Sequence, residues 1–439
     1  MPQCRRIAAM HLPWFNQATG RAALFVAALL CPQLAAASAP PESLTIEQAA
    51  AEAVENNLAL MAERANIAIA NARVLAARLR PNPVVSVAGD HLDLLGTGFN
   101  EENAAGPPEY SVRTDFLLER AGKRRYRIEE AEAARSVAEL QFLDAVRGKI
   151  LEVQNACVDA YLANASLELA RQSLDSLNQV VGLNVVRVRA GDIAEVELVR
   201  SRLAAAQFEA TVRQAELRLR AALTRLQVLL SRPVVSRPPA ITGELRRDKS
   251  VPGLEELQRQ ARELRPDLRA LYRGLERSQA DLRLQIAQGK VDYTVGSEYR
   301  RQQGIAGKGN SLGFFFNVPL PLFNRNQGEI ERARQEERQL QLRIRALESS
   351  LAGEVEGAYQ QLLAARDLLD SIEGKMVGQA RMVRETTEYS YRRGEASLLE
   401  LLDAQRAFND TMQSHNEARV EYARSLYLLD SVSGKAAAP

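Results

Sequence analysis

Val188-Arg189-Ala190-Gly191 and Tyr391-Arg392-Arg393-Gly394 stand at corresponding places in two proline-free stretches, Pro108 to Pro233 and Pro321 to Pro439. Each tetrapeptide follows a long helical pattern, turns at its glycine and opens a Leu-rich helical run. Each stretch carries a tyrosine partway along (Tyr161, Tyr359) and is preceded by short alternating segments of strand character. A repeat of this length marks a duplicated architecture, not a small-unit solenoid. Gly191 and Gly394 occupy positions needing a backbone conformation or close approach that other residues resist.

Outward from the first turn, Leu143, Val146, Ile150, Val153 and Cys157 step by three and four, a coiled-coil seam. From Arg124 to Arg189 no proline intervenes, and some 60 residues at a helical rise give a rod of roughly 90–100 Å. A second helix is expected from Ala194 to Leu230. Upstream, Leu44 to Leu79 reads as one helix ended by Arg80-Pro81-Asn82-Pro83. Val84 to Leu92 alternates weakly, Asp93 to Pro108 reads as a loop, and Tyr110, Val112, Thr114 and Phe116 alternate strictly. The two segments predict a hairpin.

The second half repeats the order. Leu254 to Gln288 is helical, with Arg265-Pro266 where the first half has Asn56-Asn57. Tyr293, Val295, Ser297 and Tyr299 alternate, Arg301 to Asn310 reads as a polar loop, and Leu312, Phe314 and Phe316 alternate on the return. Pro319 and Pro321 redirect the chain, since proline cannot serve a central ladder. The next seam runs through Leu340, Ile344, Leu347, Leu351, Ala358, Leu362, Ala365, Leu369, Ile372 and Met376, with Glu354 interrupting it. These patterns divide the chain into a signal peptide (1–37), a first repeat (38–232), a linker (233–252), a second repeat (253–434) and a short tail (435–439).

Arg5, Arg6 and Arg21, the apolar core Ala22 to Leu30 and Ala35-Ala36-Ala37 make up the secretory signal. Ala28-Leu29-Leu30 is a poor lipobox before Cys31. Cys4 and Cys31 fall within the signal, which leaves Cys157 as a lone core thiol and no intrachain disulfide in the mature chain. Lys and Arg number 57 against 55 acidic residues, a net charge of +2 without the basic excess that nucleic-acid binding requires. No run of about 18 apolar residues spans a bilayer as a helix. The three histidines, His11, His91 and His415, lack zinc-ligand spacing; His91 with Asp90 and Asp93 beside it could hold a metal weakly, but reads first as a chance cluster on a polar loop. With no phosphate-cradling loop and no nucleophile elbow, no enzyme, cofactor or metal site is expected.

Two hairpins supply four strands per chain, and four strands do not close a barrel. Transmembrane barrels need about eight or more strands of ~9–11 residues. Three chains would supply enough for a shared barrel. The competing reading is a soluble hairpin capping a helical bundle. Long antiparallel helices set around an axis would make a hollow cylinder, a natural duct across the periplasm. The expected fold is therefore mainly α with a small β part: a duplicated helical hairpin forming a trimeric α-barrel continued by a 12-stranded outer-membrane β-barrel.

Tyr391-Arg392-Arg393-Gly394-Glu395-Ala396-Ser397-Leu398-Leu399-Glu400-Leu401-Leu402-Asp403-Ala404-Gln405 resembles the turn of the TolC-type outer-membrane efflux proteins. The resemblance covers essentially the whole mature length. The first-half counterpart keeps Gly191 and Glu197-Leu198 but has Arg200-Ser201 where the second half has Asp403-Ala404. Glu119-Arg120-Ala121-Gly122-Lys123-Arg124 and Pro319 to Ile330 are similar to the branch serving cobalt-zinc-cadmium and related heavy-metal efflux. The resemblance implies a homotrimer in the outer membrane of a Gram-negative bacterium, in contact with outer-membrane lipid and extending into the periplasm. It also implies a periplasmic adaptor (membrane fusion) protein and an inner-membrane pump of the resistance-nodulation-division type.

Glu400 and Asp403, three apart, share a helix face just after the Gly394 turn, and Glu197 is the first-half equivalent. By resemblance these carboxylates line a periplasmic constriction, where a ring of negative charge favours cations; otherwise they are a solvated face. Arg189, Gly191, Arg393, Gly394, Ser397 and Leu398 form the tips that the resemblance assigns to adaptor docking; otherwise they are plain helix-to-helix turns. A passive export duct for heavy-metal cations is the expected function. The alternatives are a drug-efflux or type I secretion duct, or a periplasmic coiled-coil scaffold outside the membrane.

Overall fold

The computed structural model describes residues 43–96, 98, 108–234, 238–248, 250–304 and 307–435. The signal, the middle of the Asp93–Pro108 loop and the end of the tail lie outside the described residues. The N-terminal helical segment predicted as one rod is two helices, α1 (Ile46–Asn56) and α2 (Leu58–Arg78). Thr45 and Gln48 open α1 with a reciprocal capping box. Asn57 then breaks the chain: its backbone is extended and its Oδ1 accepts from the Ala59 and Leu60 amides. Its Nδ2 donates to the Leu229 carbonyl at 2.7 Å. Arg265, also extended, breaks the second repeat between α5 (Leu254–Leu264) and α6 (Pro266–Gln288), but its side chain pairs with Asp267 and Glu354 and caps no amide; Pro266 takes the first helical position, where its missing N–H costs nothing.

The long helix α3 (Lys123–Ala190) has 68 residues and spans about 100 Å. It turns into α4 (Glu195–Leu229). Its second-half counterpart is interrupted: α7 (Gln327–Ser371) passes through a π-helical turn (Ile372–Met376) into α8 (Val377–Arg393), and α9 (Leu398–Val432) returns. The extra residue of the π turn rotates the seam, so Met376, expected inside, is 45% exposed. Glu354 does not interrupt the seam, because Val355 fills it fully buried between Leu351 and Ala358. Leu143 and Ile150 are half-buried, leaving Val146, Val153 and Cys157 as the inward residues there.

Two cores repeat along the molecule. Val153, Ala156 and Cys157 pack with Leu226, Leu230 and the α1 alanines. Leu351, Val355, Ala358 and Leu362 pack with Leu257, Ala261 and Leu268. Tyr161 and Tyr359 lie at the margins of their respective cores. Helix α9 serves both: Val420, Ala423 and Tyr427 face the first, while Ala418, Tyr422, Leu426 and Leu429 face the second. Burial pushes the Cys157 thiol up to about 12, so it is an inert small core residue. The inter-repeat segment is more than a linker, since strand β1 (Ser43–Leu44) pairs in parallel with β4 (Ala240–Ile241).

The main sheet contains β2 (Val84–Asp90), β3 (Glu109–Leu118), β5 (Tyr293–Gly304) and β6 (Gly307–Asn317), antiparallel in the order β2-β3-β5-β6. The polar stretch Arg301–Asn310 is mostly strand, because Arg301 pairs with Asn310 and the ladder runs on to Gly304 and Gly307. One face carries Val87, Val112, Tyr299 and Leu312 in a row, with Phe116, Val295 and Phe316 in another. The other face carries Arg113, Asp115, Glu298 and Arg300, in which Arg113 grips Asp115 through both carboxylate oxygens. Gly296 makes this possible: a Cβ there would lie 2.2 Å from Asp115 Oδ1. Helix α2 packs on α3, α3 on α6, and α6 on α7. That order matches the strands, so each strand continues its own helix, and among the described residues the sheet ends in open edges at β2 and β6.

Gly296→Val is expected to destabilise the sheet by about 1–3 kcal/mol, the usual cost of overpacking. Thermal unfolding of the detergent-extracted protein checks this, with Ser297→Val on the opposite face expected to be far milder.

Candidate functional site at the helical tips

The α3–α4 and α8–α9 turns close in the same way. Gly191 and Gly394 adopt φ of 84° and 82°. The Asp192 amide donates to the Arg187 carbonyl and the Gly191 amide to that of Val188; Glu395 and Gly394 repeat the pair with Ser390 and Tyr391. This is the Schellman arrangement, which satisfies the last helical carbonyls. A Cβ at either glycine would meet nothing within 4 Å. The left-handed backbone, not lack of space, therefore selects glycine.

The tips are tied together from within. Tyr391 is buried with Val180, Leu398 and Leu401. Its hydroxyl donates to Asn184 Oδ1 at 2.7 Å, and burial pushes its phenol above the ordinary range. Arg187 donates to the Tyr391 and Arg392 carbonyls at 3.1 and 2.6 Å. It thus places a cation at the C-terminus of α8, where the helix dipole favours it. Further in, Ser173, Gln405 and Asn409 form a polar knot across α3 and α9. The Tyr-x-x-Gly pattern marks Tyr391 in the sequence, but nothing local marks Asn184 or Arg187.

The three carboxylates have different surroundings. Glu400 closes a capping box: its Oε2 accepts from the Ser397 amide at 2.7 Å and from the Ser397 hydroxyl at 2.9 Å. Those two donors, the amide first, hold its carboxyl below the usual carboxylate range. The first repeat lacks this device, because Ala194 stands at the corresponding cap. Glu197 is half-buried and pairs with Arg200 at 2.9 Å. Asp403 is exposed, 3.9 Å from Arg406. A groove of about 350 Å³ between α4 and α9 is lined by Glu197, Arg200, Leu398, Leu399, Leu402 and Arg406. Glu400 and Asp403 are outside its lining.

Of the predicted tip residues, Arg189, Gly191, Arg393, Gly394 and Ser397 are exposed. Arg393 stacks 4.5 Å above the Tyr389 ring. Leu398 is only 5% exposed and belongs to the tip core, whereas its neighbour Leu399 is on the surface. Among the described residues no helix is long and apolar enough to cross a membrane. Nor, among them, is any group of three or more His, Cys, Asp or Glu placed to hold a metal ion.

Tyr391→Phe leaves the buried Asn184 oxygen without its donor, with an expected cost of ~1–3 kcal/mol. Chemical denaturation would read it. Glu400 supports its turn in full above the normal carboxylate pKa, and that support fades as pH falls through its lowered folded value. The protection of the amides of residues 397–401, that is their exchange relative to the intrinsic rate at each pH, should therefore fall as the pH drops below the ordinary carboxylate range. In Glu400→Gln, a neutral side chain that can still close the box, this acid dependence should vanish.

The outer membrane efflux protein family matches the chain over residues 49–232 and 257–435, one match per repeat. The cobalt-zinc-cadmium resistance protein CzcC of Cupriavidus metallidurans is 26% identical over 364 residues, covering 83% of this chain and 83% of CzcC. The CmeC outer membrane channel of Campylobacter jejuni superposes with a TM-score of 0.74 at 14% identity, over 89% of this chain and 85% of CmeC. CusC, solved in work on folding and transmembrane channel formation, superposes at 0.72 and 17% identity, over 90% of this chain and 93% of CusC. With both repeats matched and the strand-on-helix fold shared, the chain belongs to the outer membrane efflux protein family and is an outer-membrane efflux channel.

Proposed function

We propose that three copies of this chain close into a passive duct that carries heavy-metal cations out of the cell. A periplasmic adaptor and an inner-membrane resistance-nodulation-division pump feed it, and the duct itself does no chemistry. The observation that carries this reading is the four-stranded sheet with an apolar face, a charged face and two open edges. Lipid tolerates strands only when every edge is paired, and a polar interior with an apolar exterior is the signature of a transmembrane barrel. Three sheets give twelve strands, and cyclic symmetry pairs each β6 with the next copy's β2. The helices that continue the strands would close below them. In this reading residues 1–37 are the exported chain's signal, and repeats 38–232 and 253–434, joined by 233–252, carry the duct wall.

The metal cargo rests on the likeness to the cobalt-zinc-cadmium resistance protein. Glu197, Glu400 and Asp403 follow the two tip turns, so threefold symmetry would gather three acids per chain around the narrow end. Such a ring attracts cations and repels anions. Glu400 serves its cap as well, and its lowered pKa keeps it charged. Arg189, Gly191, Arg393, Gly394 and Ser397, with Leu399 supplying the exposed apolar contact in place of buried Leu398, would receive the adaptor.

Deleting this chain should sensitise cells to zinc, cadmium and cobalt, and not to dyes or detergents. In planar bilayers the Glu197→Gln, Glu400→Gln, Asp403→Asn triple variant should lose most of its preference for cations over chloride. Unchanged ion selectivity would remove the gate assignment, and sensitivity to dyes alone would replace metals with drugs as cargo.

A further inference from the structure

The bend that follows β6 holds an apolar knob out into solvent. Leu320, Leu322 and Phe323 are 77%, 67% and 90% exposed. The bend is nevertheless built rigidly. Arg325 Nε donates to the Pro321 carbonyl at 3.2 Å, and Gln327 Nε2 to that of Phe323 at 3.1 Å. Asn326 Nδ2 donates to the Gln285 carbonyl at 2.8 Å, which pins the bend to α6. Gly289 lets it sit there, since a Cβ at that position would be 2.5 Å from the Arg325 carbonyl oxygen. Fixing a bend so firmly while leaving three large apolar side chains bare argues for a partner surface.

A matching socket lies on the opposite edge of the same sheet. Where β2 leaves α2 and β3 enters α3, Pro81, Phe116, Leu117 and Leu118 line a cavity of about 370 Å³ with Arg80, Arg124 and Glu119 at its margin. Glu119 is engaged by Arg127 at 2.7 Å, and Arg124 Nε donates to the Arg78 carbonyl. The register places knob and socket at the same, helix-facing end of the sheet. Leu117 of the socket pairs with Thr294, and Thr294 pairs with Asn317, the last residue of β6, three before Leu320. Knob and socket belong to opposite edges, so one chain cannot bring them together. A head-to-tail ring can, because it sets the β6 edge of each copy against the β2 edge of the next.

We propose that Phe323, with Leu322, of each copy inserts into the Pro81–Leu117–Leu118 socket of its neighbour and locks the ring at the junction of strands and helices. The occupant is a second copy of this chain. Phe323 supplies the large apolar surface, and Arg80 and Arg124 supply cations that favour an aromatic face. The lock rests on the trimeric ring proposed above but is separable from it.

The test uses the full chain expressed in outer membranes, with Phe323→Cys and Leu117→Cys combined. Mild oxidation should give covalent dimers and trimers on denaturing gels, and neither single variant should. Native Cys157 is fully buried and silent. Phe323→Ala should shift the trimer–monomer balance toward monomer by roughly tenfold or more, the effect of losing a buried aromatic anchor, while Phe323→Leu should largely retain the trimer. A native trimer that shows no double-variant cross-link, or whose Phe323→Cys thiol takes a label from a probe dissolved in lipid, would overturn the lock and leave the ring standing. The absence of any trimer in the unmodified protein would overturn both.

Discussion

Unpaired backbone along β2 and β6 is the constraint on which this architecture depends. Each bare edge presents a row of N–H and C=O groups that water can satisfy and hydrocarbon cannot. The apolar face formed by Val87, Val112, Tyr299, Leu312 and Phe314 makes water the wrong environment for the sheet. Closure with other copies satisfies both demands. Because each strand runs directly into a helix, closing the sheet also dictates how the helices meet. In the proposed ring α2 and α7 would take their neighbours from β2 and β6.

Within one chain the corresponding problem is joining two repeats that could each fold as an independent hairpin. Helix α9 resolves it by giving one face to each core. At the far end Arg187, Asn184 and Tyr391 tie the end of α3 to the end of α8. These are buried or half-buried polar contacts on otherwise apolar seams. Losing one partner strands the other, which makes them specific as well as stabilising. The tips are thus a shared, stiffened platform that leaves Arg189, Arg393 and Leu399 outward.

Elements with strong periodicity were legible in the sequence: the α3 rod, both glycine turns, the four strands and the equivalence of Asn57 and Arg265. Errors arose where one side chain competed with the local pattern. Asn57 breaks the N-terminal helix because its amide caps α2 and reaches Leu229, a contact 172 residues away. The π turn at Ile372–Met376 has no sequence mark, yet it turns Met376 outward. Leu398 and Leu399 are adjacent and chemically identical, and only packing against Val180 and Tyr391 decides which of them is buried.

By itself the sequence determined the duplication, the helix and strand classes and the glycine turns, because these follow from periods of 3.6 and 2 and from the backbone freedom of glycine. It also determined the family, through the residues around Gly394. Only the tertiary structure decided the strand order β2-β3-β5-β6, with β3 beside β5, the double duty of α9, and the placing of knob and socket on opposite edges. Those features depend on pairs of residues brought together across a hundred or more positions, and no local period encodes such a pairing.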